Sequence, residues 1–214
     1  MQTPPLPRIA GLDDEQVDTL RSSLKSYPQF CESAKNLLAG VCPFCDPLKP
    51  INVPFFTVGE GTDYAWRMWH NPFPIMGKDK NGNRIVAAEV HVVWAPVRHV
   101  VDPNELTEED WQHMAAMTRH AFSKDGGSGL NIKGGELIRF GPSAYNEKSV
   151  THLHGNGIMP NRLAEVRLPL AKHPDEVAES YKILEAFAKM YNGIDFEDLD
   201  PDEKTLVEDR VVAP

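Results

Sequence analysis

Two stretches of this chain carry side chains whose types and spacing can do chemistry. The first is SVTHLHGNGIMP at 149–160, with His152 and His154 two apart, Asn156 at the next step and glycines at 155 and 157. Side chains alternate across a strand, so a strand over 150–159 puts both histidines and Asn156 on one face and Leu153 on the other. Glycine weakens a strand interior unless a bulge or a close backbone approach requires it, which favours a ligand beside Gly155 and Gly157. Two partly exposed histidines on a solvated sheet face are the plain alternative. The second stretch is CPFC, Cys42 to Cys45. Its two thiolates can hold a tetrahedral zinc that needs two further nitrogen or sulfur ligands, and His99, at the end of HVVWAPVRH, and His152 are the candidates. These residues lie too far apart for a small zinc finger, so a zinc here ties distant segments into one domain.

Other readings of the cysteines stay open at this point. A thiol redox pair starts a helix whose N-terminus lowers a thiol pKa, and Pro47 and Pro50 deny that helix. A zinc deaminase needs H-x-E before P-C-x-x-C, which this chain lacks. Buried cysteines without a metal are the third reading. Cys31, Cys42 and Cys45 make an odd count, and the start MQTPPLPRIAGLDDEQ shows no basic or apolar leader, so a disulfide framework is not expected and a cytoplasmic location is.

Composition narrows the classes. The 214 residues, 41% hydrophobic and 25% charged, are ordinary for a globular protein, and no apolar run reaches the roughly 20 residues that span a bilayer. No membrane role is expected. A net charge of −9 without a basic run argues against general nucleic-acid binding, because phosphate backbones are held by clustered Lys and Arg. A small anion remains compatible with a locally positive site.

The elements that must position these residues read as an α+β protein. Helices are predicted over 13–25 and 28–38, and strands over 53–58, 63–70 and 88–97, with turns at GEGTD and GKDKNGN between the strands. Thr107 opens a capping pattern, and Trp111, Met114, Ala115, Thr118 and Phe122 recur at helical spacing. Strands are predicted over 135–140 and 150–159. A closing helix over 175–191 has Val177, Tyr181, Leu184, Ala188 and Tyr191 on one face, and the acidic last twenty residues read as a tail. The expected organisation is an N-terminal helical extension (1–40), a central domain (41–172) and a C-terminal helix with tail (173–214). Trp66, Trp69 and Trp94 read as core, and His113 and His120 as solvated. His70 and His91 read as either pocket lining or sheet surface. Arg98, Arg139 and Arg162 are phosphate candidates wherever the fold brings them to the site.

In order, spacing and local sequence, CPFC, HNPFPI at 70–75, HVVWAPVRH at 91–99, TEEDW and SVTHLHGN at 149–156 resemble the histidine-triad superfamily over about 41–160. The likeness is to its zinc-containing members and to the related galactose-1-phosphate uridylyltransferase and dinucleoside polyphosphate phosphorylase branches. The resemblance implies an antiparallel sheet with a helix packed across it, a homodimer, and nucleotide chemistry through a covalent histidine intermediate. It implies a structural zinc on Cys42, Cys45, His99 and His152, and His154 as the nucleophile. Asn156 stands where hydrolase branches have histidine and transferase or phosphorylase branches usually have glutamine. Ser149 matches a phosphate-contacting serine or threonine. Lys148 stands where the family commonly has glutamine, Asn71 where relatives contact the nucleoside, and Gly155 where a bulky apolar residue is common; Asn146 is counted with the nucleotide-binding set.

The chemistry is coherent on its own terms. A histidine can attack the α-phosphorus of a nucleotide when one ring nitrogen is held so that the other presents its lone pair. Donors must then meet the charge on the phosphoryl oxygens, and Ser149, Lys148, the Asn156 amide and backbone N–H groups are the local supply. An amide donates a hydrogen bond but supplies no proton to a leaving group, which favours leaving groups that are already good, or transfer to an acceptor. A zinc-stabilised nucleotide-binding protein without turnover is the second reading.

Overall fold

A computed structural model describes residues 5–45, 53–131, 133–139, 150–166 and 174–211. They divide into two compact units. One takes the described residues up to 41 and from 174 onward; the other takes those from 42 to 139 and from 150 to 166.

The first unit is helical. Helix α1 (Asp14–Thr19) starts in a capping box between Asp13 and Gln16, and α2 (Tyr27–Leu38) starts at Ser26, whose hydroxyl accepts from the Gln29 N–H. Two further helices follow at the chain's other end and are numbered below as α4 (Pro174–Tyr191) and α5 (Pro201–Val211). Leu20, Phe30, Leu184, Phe187 and Val207 share one core, in which Phe187 packs its ring 5.3 Å from Tyr27 and 5.4 Å from Phe30. The expected tail is thus in large part a helix. Its composition is acidic, but Leu199 and Val207 are spaced to bury, and the sequence reading gave charge too much weight. On α4, Phe187 is the central buried residue, one step from the predicted stripe.

The second unit is built on an antiparallel sheet of β1 (Phe56–Val58), β2 (Trp66–His70), β5 (Ala88–Pro96), β7 (His154–Pro160) and β6 (Gly135–Arg139), in that spatial order. A hairpin of β3 (Met76–Lys78) and β4 (Arg84–Val86) stands apart where the sequence shows only a turn cluster. Its turn is held by the Asp79 carboxylate, which accepts N–H bonds from Asn81 and Asn83 at 2.8 Å each. Helix α3 (Glu108–Phe122) begins in a Thr107–Asp110 capping box. It lays Met114, Met117 and Ala121 on Trp66, Met68, Val92 and Trp94, one face of the sheet. Thus an antiparallel sheet with a helix packed across it, and helices toward both termini, bears out the α+β reading.

Trp111 and Ala115 point outward, and the buried positions of α3 are Asp110, Met114, Met117 and Ala121. The expectation that His113 and His120 are solvated fails as well. His113 Nδ1 lies 2.8 Å from the Tyr64 carbonyl, and His120 stacks on Phe56 with centroids 3.5 Å apart. Burial holds the His120 pKa below the usual imidazole value, against a partly offsetting hydrogen bond with the Gly126 backbone. Among the described residues, no helix is long and apolar enough to cross a membrane.

Candidate functional site

The strand carrying the histidines starts later than its sequence pattern suggests. Residues 150–152 form bends and Leu153 is irregular rather than strand, and β7 begins at His154. Leu153 donates its N–H to the Val100 carbonyl at 2.6 Å and His152 donates its own to Val150 at 2.9 Å. The chain therefore enters the sheet from a bend tied to the segment after β5. His152 is brought to the cysteines by that bend and not by strand alternation.

Cys42, Cys45, His99 and His152 converge, with one donor atom from each lying within 4.8 Å of the others. Cys42 Sγ is 3.3 Å and Cys45 Sγ 3.5 Å from His152 Nδ1, and Cys45 Sγ is 3.4 Å from His99 Nδ1. Tetrahedral zinc with Zn–S near 2.3 Å and Zn–N near 2.0 Å places donors roughly 3.3–3.8 Å apart, so these residues fit a zinc ion. The His152 ring supports the same assignment. Its Nε2–H donates to the Pro96 carbonyl at 3.0 Å, which leaves the lone pair on Nδ1, the atom turned to the thiols. Burial, and then the neighbouring Cys42, push the Cys45 thiol up to about 12. A dication among these donors reverses that preference, because coordination deprotonates thiols.

His154 lies on the sheet face opposite α3. Here Trp69, Val93 and Ala95 form a small apolar cluster against Phe44, the aromatic residue between the two cysteines. The Phe44 ring meets Trp69 and His154 edge-on, at 5.1 Å each, and His152 at 5.7 Å. His154 is buried at 8% exposure, and its Nδ1–H donates to the His152 carbonyl at 2.7 Å. The ring's lone pair is thereby on Nε2.

Asn156 follows on the same face, paired with Val93 on one side and Leu137 on the other. Its Oδ1 lies 3.1 Å from His91 Nε2. His91 Nδ1 accepts the Ile75 N–H at 3.2 Å, so Nε2 carries the proton and donates to Asn156, whose amide then presents its NH2. The Asn71 amide lies against the same ring, 3.2 Å from Nε2, while its oxygen accepts the Phe73 N–H at 2.9 Å. The sequence leaves His91, like His70, open between pocket lining and sheet surface. The available signal was a polar side chain within the apolar run HVVWAP, but its meaning depends on strand register.

The glycines of β7 have a packing cause. A Cβ at Gly155 would sit 2.4 Å from the Trp94 indole on the α3 side, and one at Gly157 would meet Leu130, Trp94 and Val92 at 2.8–3.0 Å. Room for Trp94 accounts for them without a ligand. Ser149, Lys148 and Asn146 lie outside the described residues. Of the candidate arginines, Arg98 bonds the buried Asp110 carboxylate and the Glu105 carbonyl, and Arg162 is exposed beyond the end of β7. Arg139 is the cross-strand partner of His154.

No family model and no curated protein matches the chain. Two solved structures are similar to it. A zinc-bound histidine triad family protein from Mycobacterium smegmatis is 26% identical over 48% of this chain and 70% of its own, with a TM-score of 0.28. A hypothetical protein from Leishmania major is 22% identical over 73% of this chain and 99% of its own, with a TM-score of 0.36.

Proposed function

We propose that this chain is a histidine-triad-like protein that cleaves a nucleotide at its α-phosphate through a covalent nucleotidyl–His154 intermediate. The observation that carries this reading is the 2.7 Å bond from His154 Nδ1–H to the His152 carbonyl, which leaves Nε2 as the nucleophilic atom on a largely apolar face. In the first step Nε2 forms a bond to the α-phosphorus and the bond from phosphorus to the leaving group breaks. In the second an acceptor oxygen attacks the same phosphorus, the P–N bond breaks and Nε2 regains its lone pair.

The Asn156 amide, turned by His91 so that its NH2 is presented, donates to a phosphoryl oxygen as charge builds there. An amide gives no proton to the leaving group, so the reading leans toward transfer or phosphorolysis over plain hydrolysis. Cys42, Cys45, His99 and His152 would hold zinc as a structural ion, tying the CPFC turn, the end of β5 and the entry to β7 together. Asn71, beside His91, is assigned to nucleoside contact, and Ser149 and Lys148 to the phosphate. The protein is proposed to work as a homodimer.

The test is incubation with diadenosine polyphosphates, nucleoside diphosphate sugars and adenosine phosphoramidate, with and without inorganic phosphate, followed by intact-mass measurement. A nucleotidyl adduct on the unaltered chain that His154→Ala abolishes supports the reading, and dependence of turnover on phosphate separates phosphorolysis from hydrolysis. Nucleotide binding without adduct or turnover for any substrate would replace it with the binding-protein reading.

A further inference from the structure

Pro43 and Phe44 separate the two cysteines of CPFC, and the Cys45 N–H closes a turn onto the Cys42 carbonyl at 3.2 Å. The fixed φ of proline suits the second position of such a turn, which leaves Phe44 at the third. The ends of the turn carry the thiols, Cys42 Sγ 3.3 Å from His152 Nδ1 and Cys45 Sγ 3.4 Å from His99 Nδ1. Whatever holds those two sulfurs also fixes where the Phe44 ring can go.

The ring goes onto the sheet face that bears His154, within the same compact unit. Its centroid lies 5.1 Å from both the Trp69 and the His154 rings, at interplanar angles of 66° and 81°. Edge-on contacts at this separation are a favoured arrangement of aromatic rings. Phe44 is half-buried where Trp69, Val93, Ala95 and His154 are buried, so it forms the outer layer of this contact.

Two restraints therefore act on the His154 imidazole. The His152 carbonyl takes its Nδ1–H at 2.7 Å, and the Phe44 ring flanks it on the solvent side. A hydrogen bond sheltered from water is stronger than one that water contests, so the second restraint reinforces the first. Both come from the segments that carry the candidate zinc ligands, one through the backbone of His152 and the other through the turn between Cys42 and Cys45.

We propose that Phe44 is a positioning residue for the nucleophile: held in place by the CPFC turn, its ring keeps the His154 imidazole in the tautomer with the proton on Nδ1 and the lone pair on Nε2. In this role Phe44 serves the nucleotidyl–histidine reading above and rests on it, whereas the state of the imidazole itself can be read without any substrate.

The experiment compares the zinc-loaded full chain with its Phe44→Leu and Phe44→Met variants, each checked for stoichiometric zinc by elemental analysis. The imidazole nitrogen resonances of isotope-labelled histidine are recorded at one alkaline pH, where imidazoles are neutral, and His154 is assigned by its disappearance in His154→Ala. In the unaltered chain the two His154 nitrogens are expected far apart, one protonated and one bare. In both variants they draw together as the second tautomer is populated, zinc stays bound, and kcat falls about 10- to 100-fold with KM unchanged, as for a misplaced reacting group. Loss of the Phe44 ring current moves nearby proton signals but has little effect on the separation of the nitrogens. Nitrogens that keep their separation in the variants overturn the proposal. So does a raised KM with unchanged kcat, which makes Phe44 a substrate contact, and so does loss of zinc from both variants, which makes it part of the metal site alone. Failure of the catalytic reading looks different: no His154 adduct forms with any substrate, while the His154 nitrogen separation still depends on Phe44.

Discussion

His152 and His154 are the same residue type two positions apart, and the fold holds their rings in opposite tautomers. His152 gives its Nε2–H to the Pro96 carbonyl and turns Nδ1 to two thiols; His154 gives its Nδ1–H to the His152 carbonyl and keeps its lone pair on Nε2. One ring sits in a cluster of candidate metal donors, the other on an apolar sheet face with an amide two residues away. The difference is made by backbone carbonyls, through where β7 begins, and not by the identity of either side chain. Exchange of the two roles would require the bend at 150–153 to move.

The sharpest way to break this contrast is to delete each ring in turn. His154→Ala should abolish the covalent adduct and lower turnover on the order of 10³-fold or more, while bound zinc and melting temperature stay those of the unaltered chain. His152→Ala should do the reverse in kind, with zinc lost on dialysis and a lower melting temperature, and activity falling only as a consequence. Zinc content by elemental analysis, scanning calorimetry and intact-mass detection of the adduct read the two outcomes separately. Retention of stoichiometric zinc in both His152→Ala and a Cys42→Ser, Cys45→Ser double variant would end the metal assignment.

A smaller effect tests the orientation of Asn156. His91→Ala removes the donor that fixes the amide, so its effect should approach that of Asn156→Ala, a loss of about 10- to 100-fold in turnover. The double variant should lose little more than either single one, because the two residues act as a unit. Additive losses in a double-mutant cycle would show that His91 acts elsewhere.

Much of this site was legible in the sequence because it is written in residue type at short spacing. Cys-x-x-C and His-x-His announce themselves, and TEEDW places the start of α3 to the residue. What could not be read depends on register. His91 reaches Asn156 because Val93 pairs with Asn156 and His91 with Ile158, and Arg139 stands opposite His154 only because β6 pairs with β7. The strand boundary at His154 was missed because the Val100 and Pro96 carbonyls that bend the chain lie far away in sequence. The tail was misread for another reason: its few apolar residues look weak until Leu199 and Val207 find a core.

Asp110 offers a test of the frame that carries His99. Burial pushes its carboxyl pKa up, but hydrogen bonds from Thr107, Arg98 and Trp66 outweigh that and hold it below the usual carboxylate range. A folded pKa below the unfolded one gives stability that is fully present above the unfolded value and lost as pH falls through the folded value. Asp110→Asn should therefore destabilise the chain by about 1–3 kcal/mol at neutral pH, by leaving Arg98 half-buried without its carboxylate, and the deficit should shrink in acid. Urea melts at pH 7 and below pH 4 measure this, and a deficit independent of pH would assign the loss to packing alone.

A last effect concerns the other side of β7, which both histidines need in place. Gly155→Ala drives a methyl group to 2.4 Å from the Trp94 indole, a rigid ring with 0% exposure. Gly157→Ala meets Leu130 Cδ1 first, at 2.8 Å, the far end of a flexible side chain. Overpacking of this kind costs about 1–3 kcal/mol, so Gly155→Ala belongs at the upper end and Gly157→Ala at the lower. Trp94→Leu, added to Gly155→Ala, vacates the contested space and should recover part of the loss, which no ligand-based role for Gly155 predicts. If Gly155→Ala instead leaves the melting temperature unchanged and weakens nucleotide binding, the glycine serves a ligand after all, and Trp94 is not what keeps position 155 bare.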